Sequence, residues 1–246
     1  MYLIDIHWLE QRDVDIPPED DWLSAKEWAR LAGLRFPKRR ADWRLGRWTA
    51  KRAVAAYLGV SRDRHALSVI EIRPAASGAP EVYLADKPAN ASISISHRQG
   101  IAMCAVGPAS SALGCDLEII EPRIDAFVRD YFTEQEQVAI NNIADEEGRR
   151  RAVAVIWSAK ESALKAMMVG LRVDTRSVSV TRADRSIGCA EWYCLTVAGL
   201  DSQIFDGWWQ QSGKLLRTVV ATQKSRAPIR LDRLPSCSSQ ELRLYG

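Results

Sequence analysis

Alternation of hydrophobic and polar positions predicts strands and helices in the first part of the chain. The opening stretch "MYLIDIHWLE" alternates as a β-strand does. From about Asp21, apolar positions recur at helical spacing and predict a first helix. A second helix is predicted for "ADWRLGRWTAKRAVAAYLG", which ends at Gly59, a residue type that commonly terminates helices. Residues 67–88 are typical of two strands around a loop, and "ASISISH" and "IAMCAV" around the turn "RQG" predict a β-hairpin.

The second part begins with an apolar strand, "SALGCDLEII", and continues with two predicted helices. In "TEQEQVAI", Thr133 and Glu136 fit the capping box that starts many helices. A long helix is predicted from about Glu146 to Val169, with Gly170 as its stop. Four strand-like segments follow, "SVSVTR", "EWYCLTVAG", "DGWWQQ" and "KLLRTVVAT".

These elements divide the chain into an N-terminal half over residues 1–110, a C-terminal half over residues 111–224 and a tail over residues 225–246. Helices followed by strands occur in both halves, although no repeat is visible in the letters of the sequence. This order predicts an α+β fold of two similarly built halves. The tail is rich in Ser, Arg and Pro, a composition that predicts a loosely held chain end.

The composition is typical of a globular protein, and the positive charges are concentrated in one basic stretch. The 246 residues, 47% hydrophobic and 26% charged, are enough for one large domain or two modest ones. The formal net charge of +3 is too small to indicate nucleic-acid binding by itself, but cations concentrate between Arg35 and Arg52. This stretch predicts an anionic partner.

Cysteine usage and the start of the chain bear on the compartment. The five cysteines are scattered and form no C-x-x-C pair, so neither a disulfide framework nor a zinc site is predicted. The start lacks a secretory signal pattern, and no stretch reaches the roughly 18 apolar residues that a membrane span needs. We therefore expect reduced thiols, a cytoplasmic location and no membrane partner.

Two carboxylates stand on the strand "LGCDLEII". Asp116 and Glu118 are two positions apart, so they point to one face of the strand, away from Cys115 and Leu117. Paired carboxylates on an apolar strand repel each other unless a cation lies between them, and oxygen donors without imidazole or thiolate suit Mg²⁺ or Mn²⁺. A solvated acidic face on an edge strand is the alternative interpretation.

The stretch "WSAKESALK" places an acid and a base on one face of the long helix. Trp157, Glu161, Leu164 and Lys165 share this face at helical spacing. An ordinary surface pair of Glu161 and Lys165 would explain the spacing, since such pairs are common and contribute only about 0.2–0.5 kcal/mol. Alternatively, Glu161 supplies a third carboxylate to the strand pair.

A hydroxyl and an imidazole, Ser96 and His97, lie at a predicted strand end, where both groups can reach a phosphate. A histidine in a turn or core is the plainer interpretation. The chain has no G-x-S-x-G elbow, no P-loop and no G-x-G-x-x-G motif, which argues against a serine hydrolase, a P-loop nucleotide hydrolase and a dinucleotide-binding protein.

Taken together and in order, "SISH", "LGCDLE" and "WSAKESALKA" resemble the motifs of the Sfp-type 4′-phosphopantetheinyl transferases. The likeness extends to "RADWRLGRWTAKRAV", "SGAPEV" and "YFTEQE", and it spans roughly Arg30 to Val180. It implies a pseudo-twofold monomer that moves the phosphopantetheine arm of coenzyme A to a serine of an apo acyl or peptidyl carrier protein. The reaction releases adenosine 3′,5′-bisphosphate and requires Mg²⁺, with Mn²⁺ as a substitute.

The resemblance also implies roles for particular residues. The metal ligands would be Asp116, Glu118 and Glu161. The catalytic residues would be Glu161 and Lys165, with Glu161 or a metal-bound water as the base. Glu136 would be a further acidic residue near the metal, although the capping box competes for it. The coenzyme A contacts would be Arg30, Arg47, Lys51, Gly78, Pro80, Ser96, His97, Lys160 and Lys165.

The chain departs from the family pattern at two positions. Ala79 stands where many relatives carry a cation, and Asp42 stands where some carry an arginine, which leaves the contacts to the 3′-phosphate open among Arg44, Arg47 and Lys51. Two other function classes compete: a basic module that holds RNA or an acidic partner, and a coenzyme A or carrier-protein binder without catalysis.

A carrier-docking surface is predicted just after the long helix, where exposed apolar residues would lie beside a cation. Methionines adapt to several partners, which favours docking, whereas burial at a helix end is the alternative. The residues concerned are Met167, Met168, Val169, Leu171, Arg172 and Val173.

Overall fold

The computed structural model describes residues 2–189 and 191–233, and the segments assigned there are five α-helices and twelve β-strands. The helices are α1 (Ala25–Ala32), α2 (Pro37–Leu58), α3 (Asp125–Tyr131), α4 (Glu134–Asn141) and α5 (Glu146–Ala166). The strands are β1 (His7–Arg12), β2 (Ile70–Pro74), β3 (Pro80–Leu84), β4 (Lys87–Pro88), β5 (Ser92–Arg98), β6 (Ile101–Gly107), β7 (Leu113–Ile119), β8 (Ser179–Cys189), β9 (Trp192–Ala198), β10 (Ile204–Ser212), β11 (Leu215–Ala221) and β12 (Ile229–Arg230).

The two halves repeat one arrangement of strands. In the N-terminal half β1 pairs antiparallel with β6, which pairs with β5; in the C-terminal half β7 pairs antiparallel with β11, which pairs with β10. A long helix covers each sheet, α2 in the first half and α5 in the second. The predicted α+β fold of two similarly built halves is therefore confirmed.

Sheet residues of both halves meet in a shared apolar cluster. Ile6 and Trp8 of the first half lie in this cluster with Cys115 and Leu117 of the second, and all four are buried. Because β7 contributes Cys115 and Leu117 to this interface, its intervening side chain Asp116 points the other way, towards α5. The strand alternation seen in the sequence thus sets the direction of the carboxylate.

A buried lysine and glutamate occur at equivalent places in both halves. Lys51 of α2 contacts Glu27 at 2.5 Å, and Lys160 of α5 contacts Glu136 at 2.8 Å. Each glutamate also caps its own short helix, α1 or α4, and accepts a backbone N–H from the next strand, β2 or β8. The stretches "WTAK" and "WSAK", which end at these lysines, agree in three of their four letters.

Helix ends agree with the sequence in some places and differ in others. The capping box of Thr133 and Glu136 is present, and Gly59 ends α2 in the left-handed conformation, with φ 66°. However, α2 begins at Pro37, earlier than expected, because proline is favoured in the first helical turn. The long helix α5 ends at Ala166, before the expected stop at Gly170, and the chain first turns left-handed at Met168.

The segment after residue 224 is not loosely held over its described part. Strand β12 pairs in parallel with β1, and Leu231 is buried in the core of the N-terminal half. The side chain of Arg226 also pairs with Asp5 at 2.8 Å. Residues 225–233 therefore return to the N-terminal sheet, and the rest of the predicted tail, residues 234–246, lies outside the described residues.

In the described residues, no helix combines the length and the apolar character that crossing a membrane requires. Cys104 and Cys115 are buried thiols within the core, where burial raises the pKa of both. Cys237 lies outside the described residues.

Candidate active site

Helix α5 lies very close to strand β7, and Gly114 makes this approach possible. A Cβ atom at Gly114 would fall 1.8 Å from the backbone oxygen of Ser162 and 2.9 Å from the backbone nitrogen of Ala166. No other residue type fits against the helix backbone at this distance. The contact places the side chains of α5 directly over those of β7.

Asp116 accepts hydrogen bonds from side chains of two elements, α5 and β5. Its Oδ1 lies 2.8 Å from Lys165 Nζ on α5 and 2.8 Å from Ser96 Oγ on β5, and its Oδ2 accepts from Ser158 Oγ at 2.9 Å. Lys165 Nζ also donates to Ser96 Oγ and to the backbone oxygen of Cys115. Asp116 is therefore the point where β5, β7 and α5 meet.

A chain of hydrogen-bonded hydroxyl groups holds the side chain of Asp116 in its orientation. Ser158 and Ser162, one turn apart on α5, each lie within hydrogen-bond distance of Thr218 Oγ1 on β11, at 2.9 and 2.6 Å. Thr218 also donates to the backbone oxygen of Ser158 at 3.0 Å. All three side chains are buried, so they fix the rotamer of Ser158 and, through it, the orientation of Asp116.

The electrostatics of Asp116 and Lys165 favour the charged forms of both groups. Burial would raise the pKa of Asp116, but the Lys165 ammonium and the hydrogen bonds outweigh it and lower this pKa. Burial would lower the pKa of Lys165, but the Asp116 carboxylate outweighs it and raises this pKa. The lysine therefore stays a cation at neutral pH.

Glu118 and Glu161 are less fully neutralised. Burial raises the pKa of Glu118, although the Ile119 N–H and the guanidinium groups of Arg98 and Arg123, at 3.2 and 3.3 Å, partly offset it. Burial, followed by the charge of Asp116, raises the pKa of Glu161 to about 7. A cation beside Glu118 and Glu161 would favour their charged forms and offset this effect of burial.

A cavity of about 300 Å³ lies between the halves next to Lys165. Its wall in the N-terminal half is formed by residues 77–80, the turn between β2 and β3, and by Ser92 to Ile95 of β5. Its wall in the C-terminal half is formed by Leu113, Lys165 and the residues after α5. Gly78 and Pro80 therefore line the same cavity as Lys165.

The basic stretch contributes to a second cavity of about 510 Å³ around His97. Lys38 and Arg39 of α2, both exposed, line it together with Phe36, Asp42 and Trp43. The helix predicted from "ADWR" onwards does not include these two cations. They lie on the first turn of α2, where Pro37 is the sequence signal for an earlier start.

Four other cations of the predicted site line neither of these two cavities. Lys51 and Lys160 are fully buried, and each donates to two backbone oxygens besides pairing with its glutamate. Arg47 lies 3.8 Å from Glu27, while Arg30 is exposed at the end of α1. The structure gives the two lysines a structural role, and their assignment to coenzyme A stays a prediction without support from their position.

Three of the six predicted docking residues are partly buried against the core of the C-terminal half. Met167, Val169 and Val173 pack against the core of the C-terminal half, whereas Met168 is half-exposed. The side chain of Leu171 lies outside the described residues. Of the predicted surface, Met168 and Arg172 are exposed.

Residues 112–205 match the family model of the 4′-phosphopantetheinyl transferase superfamily. This segment is a 4′-phosphopantetheinyl transferase superfamily domain. It contains β7 and α5, and thus all three predicted metal ligands and Lys165, while Ser96, His97 and the basic stretch lie before it. The suspected resemblance is confirmed at the level of the superfamily, and it supports a phosphopantetheinyl transferase activity. The chain has no match among curated proteins.

The superfamily generally uses a divalent metal. The side chains of this domain show whether such an ion would fit. Among the described residues, no three acidic, histidine or cysteine side chains are arranged as a ready metal site. The donor types nevertheless fit a hard cation, since Asp116, Glu118 and Glu161 offer only carboxylate oxygens. Burial, and then the charges of Asp116 and Glu118, raise the pKa of Glu161, which shows that the three groups lie close together. At present the Lys165 ammonium is the cation beside Asp116.

Proposed function

We propose that the protein is an Sfp-type 4′-phosphopantetheinyl transferase that moves the phosphopantetheine arm of coenzyme A to a serine of an apo acyl or peptidyl carrier protein. One observation carries the proposal. The ammonium of Lys165, 2.8 Å from Asp116 and 3.2 Å from Ser96, lies on the wall of a cavity that the Gly78–Pro80 turn closes from the other half. The cavity volume of about 300 Å³ is within the range of small-molecule sites.

The reaction exchanges the phosphoanhydride bond of coenzyme A for a phosphodiester bond to the carrier serine. The serine oxygen of the carrier bonds to the β-phosphorus of coenzyme A, the bond from that phosphorus to the bridging oxygen breaks, and adenosine 3′,5′-bisphosphate leaves. Negative charge grows on the leaving oxygen, and Lys165, held as a cation by Asp116, stabilises it. Glu161 or a water held beside it accepts the proton of the serine hydroxyl in this proposal.

Asp116, Glu118 and Glu161 would hold a Mg²⁺ ion in this proposal. When bound, the ion supplies charge neutralisation for the diphosphate oxygens. The hydroxyl chain of Ser158, Ser162 and Thr218 keeps Asp116 oriented. Arg98 and Arg123 pair with Glu118 and hold its carboxylate.

The adenosine and its 3′-phosphate fit the second cavity in this proposal. Lys38 and Arg39 supply cations and His97 supplies an imidazole, while Trp43 offers an aromatic surface. In this proposal Lys38 and Arg39, and not the buried Lys51, bind the 3′-phosphate. We include the predictions of a cytoplasmic monomer in the same proposal.

The competing RNA-binding hypothesis finds little support in the basic stretch. Arg40 donates to the backbone oxygens of Leu31 and Leu34, and Arg44 pairs with Asp20. With Arg47 near Glu27 and Lys51 buried, much of the positive charge serves the fold and does not form an exposed basic face.

The test is to incubate the protein with coenzyme A, Mg²⁺ and a panel of apo carrier proteins, and to weigh the carriers by mass spectrometry. Transfer should add the phosphopantetheine group to at least one carrier. The variant Lys165→Met should lose transfer while keeping its fold by circular dichroism. Binding of coenzyme A without transfer to any carrier would favour the binder, and binding of RNA without coenzyme A would favour the basic module.

A further inference from the structure

Met168 has a backbone conformation that its residue type rarely adopts. Its φ is 58°, and the chain around it closes α5 with hydrogen bonds from Met168 N to Lys165 O at 2.9 Å and from Val169 N to Leu164 O at 3.2 Å. Glycine takes this left-handed position at helix ends without steric cost, whereas a side chain with a Cβ is strained there. Strained residues of this kind cluster at active sites and ligand-binding sites.

Burial in the core does not explain this methionine. Met168 is 51% exposed, while the neighbouring Met167 packs against the C-terminal core. The side chain of Met168 instead lines the cavity between the halves, on the same wall as Lys165. It therefore lies beside the place where the reactive diphosphate would contact Lys165.

The loop that carries Met168 is tied to the opposite wall of the cavity. Arg172 Nη2 donates to the backbone oxygen of Ser77 in the N-terminal half, and Arg172 Nε donates to Val169 O at 3.2 Å. Because Ser77 and Arg172 both line the cavity, their hydrogen bond joins its two walls. The bond fixes the loop so that Met168 stays at the cavity.

We propose that Met168 is a binding residue for the phosphopantetheine arm, held at the cavity by the Arg172–Ser77 hydrogen bond. This inference rests on the proposed function and adds to it a residue that selects the arm of the substrate. With the diphosphate at Lys165, the arm extends along the wall of the N-terminal half, which residues 77–80 and 92–95 form. The flexible thioether side chain of Met168 closes over the arm from the other side.

The test exploits the opposite effects that glycine has on strain and on contact. Met168→Gly relieves the left-handed strain, so the melting temperature should stay equal or rise. The same variant removes the contact to the arm, so the dissociation constant of coenzyme A, measured by calorimetry, should rise about four- to twelvefold, as for partial burial of a methionine. Binding of adenosine 3′,5′-bisphosphate, which lacks the arm, should not change.

Two variants serve as controls. Ala85→Gly relieves a left-handed residue, φ 48°, in the exposed turn between β3 and β4, so it should affect stability alone. Met168→Leu keeps an apolar side chain and the strain, and its coenzyme A affinity should stay within about twofold of the parent.

Three outcomes would overturn the inference. Unchanged coenzyme A affinity in Met168→Gly would show that the side chain does not contact the arm. Equal weakening of coenzyme A and of adenosine 3′,5′-bisphosphate would indicate a distorted site. A rise in the KM for the carrier protein alone would assign Met168 to carrier docking. If the parent protein itself bound no coenzyme A, the proposed function would fail first, a result distinct from these three.

Discussion

Replacing Lys160 by methionine should destabilise the protein strongly, because its ammonium is enclosed by groups that need a cation. Lys160 Nζ lies 2.8 Å from Glu136 Oε2 and donates to the backbone oxygens of Thr175 and Val178. The side chain of Lys160 is fully buried, and Glu136 is 4% exposed. The lysine thus joins α5 to α4 and to the segment before β8.

The loss of stability depends on the buried groups that Lys160→Met leaves without a partner. In Lys160→Met, Glu136 keeps its hydrogen bonds from Thr133 N and Val180 N, both 2.8 Å, but it loses its counter-charge, and two buried carbonyls lose their donor. Removing one partner of a buried ion pair costs about 3–5 kcal/mol. At about 2–4 °C per kcal/mol, the melting temperature should fall by about 6–20 °C.

The assay is equilibrium unfolding in urea, with coenzyme A binding measured in parallel. Lys51→Met, in the equivalent place of the other half, should lose a similar free energy of unfolding. Lys214→Met, in the exposed turn between β10 and β11, should stay within about 0.5 kcal/mol of the parent. The double variant Lys160→Met with Glu136→Gln should lose less than Lys160→Met alone, because no buried charge is left unpaired.

One combination of results would refute this reasoning. If Lys160→Met unfolded within about 1 kcal/mol of the parent and raised the coenzyme A dissociation constant more than tenfold, the lysine would face the ligand. The assignment from sequence resemblance would then be right, and the buried pair would not describe the protein in solution.

Further predictions concern the helix contact, the carboxylates and the basic cavity. Gly114→Ala should lower the free energy of unfolding by about 3 kcal/mol or more, since its Cβ would lie 1.8 Å from Ser162 O; a loss below about 1 kcal/mol by urea unfolding would contradict the close approach of α5. Asp116→Ala should abolish transfer at saturating Mg²⁺ while the circular dichroism spectrum is retained, and near-normal turnover would remove Asp116 from the site. Lys38→Gln and Arg39→Gln should each weaken coenzyme A about tenfold more than 3′-dephospho-coenzyme A, and equal effects on both ligands would exclude contact with the 3′-phosphate.

Several features of the site followed from local sequence alone. The alternation in "LGCDLEII" predicted that Asp116 points away from Cys115 and Leu117, because successive strand residues face opposite sides. The helical spacing of Glu161 and Lys165 likewise predicted a shared face, and their side chains lie 3.8 Å apart. Such periodicities depend only on neighbouring residues. The face to which a side chain points can therefore be predicted without knowing which distant segment packs against it.

Partners from distant parts of the chain decided what the sequence left open. Lys51 and Lys38 are both cations of one basic stretch, yet Lys51 is buried against Glu27 of α1 while Lys38 lines a cavity. The residues after 224 have the composition of a loose tail, yet backbone pairing with β1 orders β12. Burial and pairing arise when segments remote in sequence meet, so only the tertiary structure shows which charges serve the fold and which remain for a ligand.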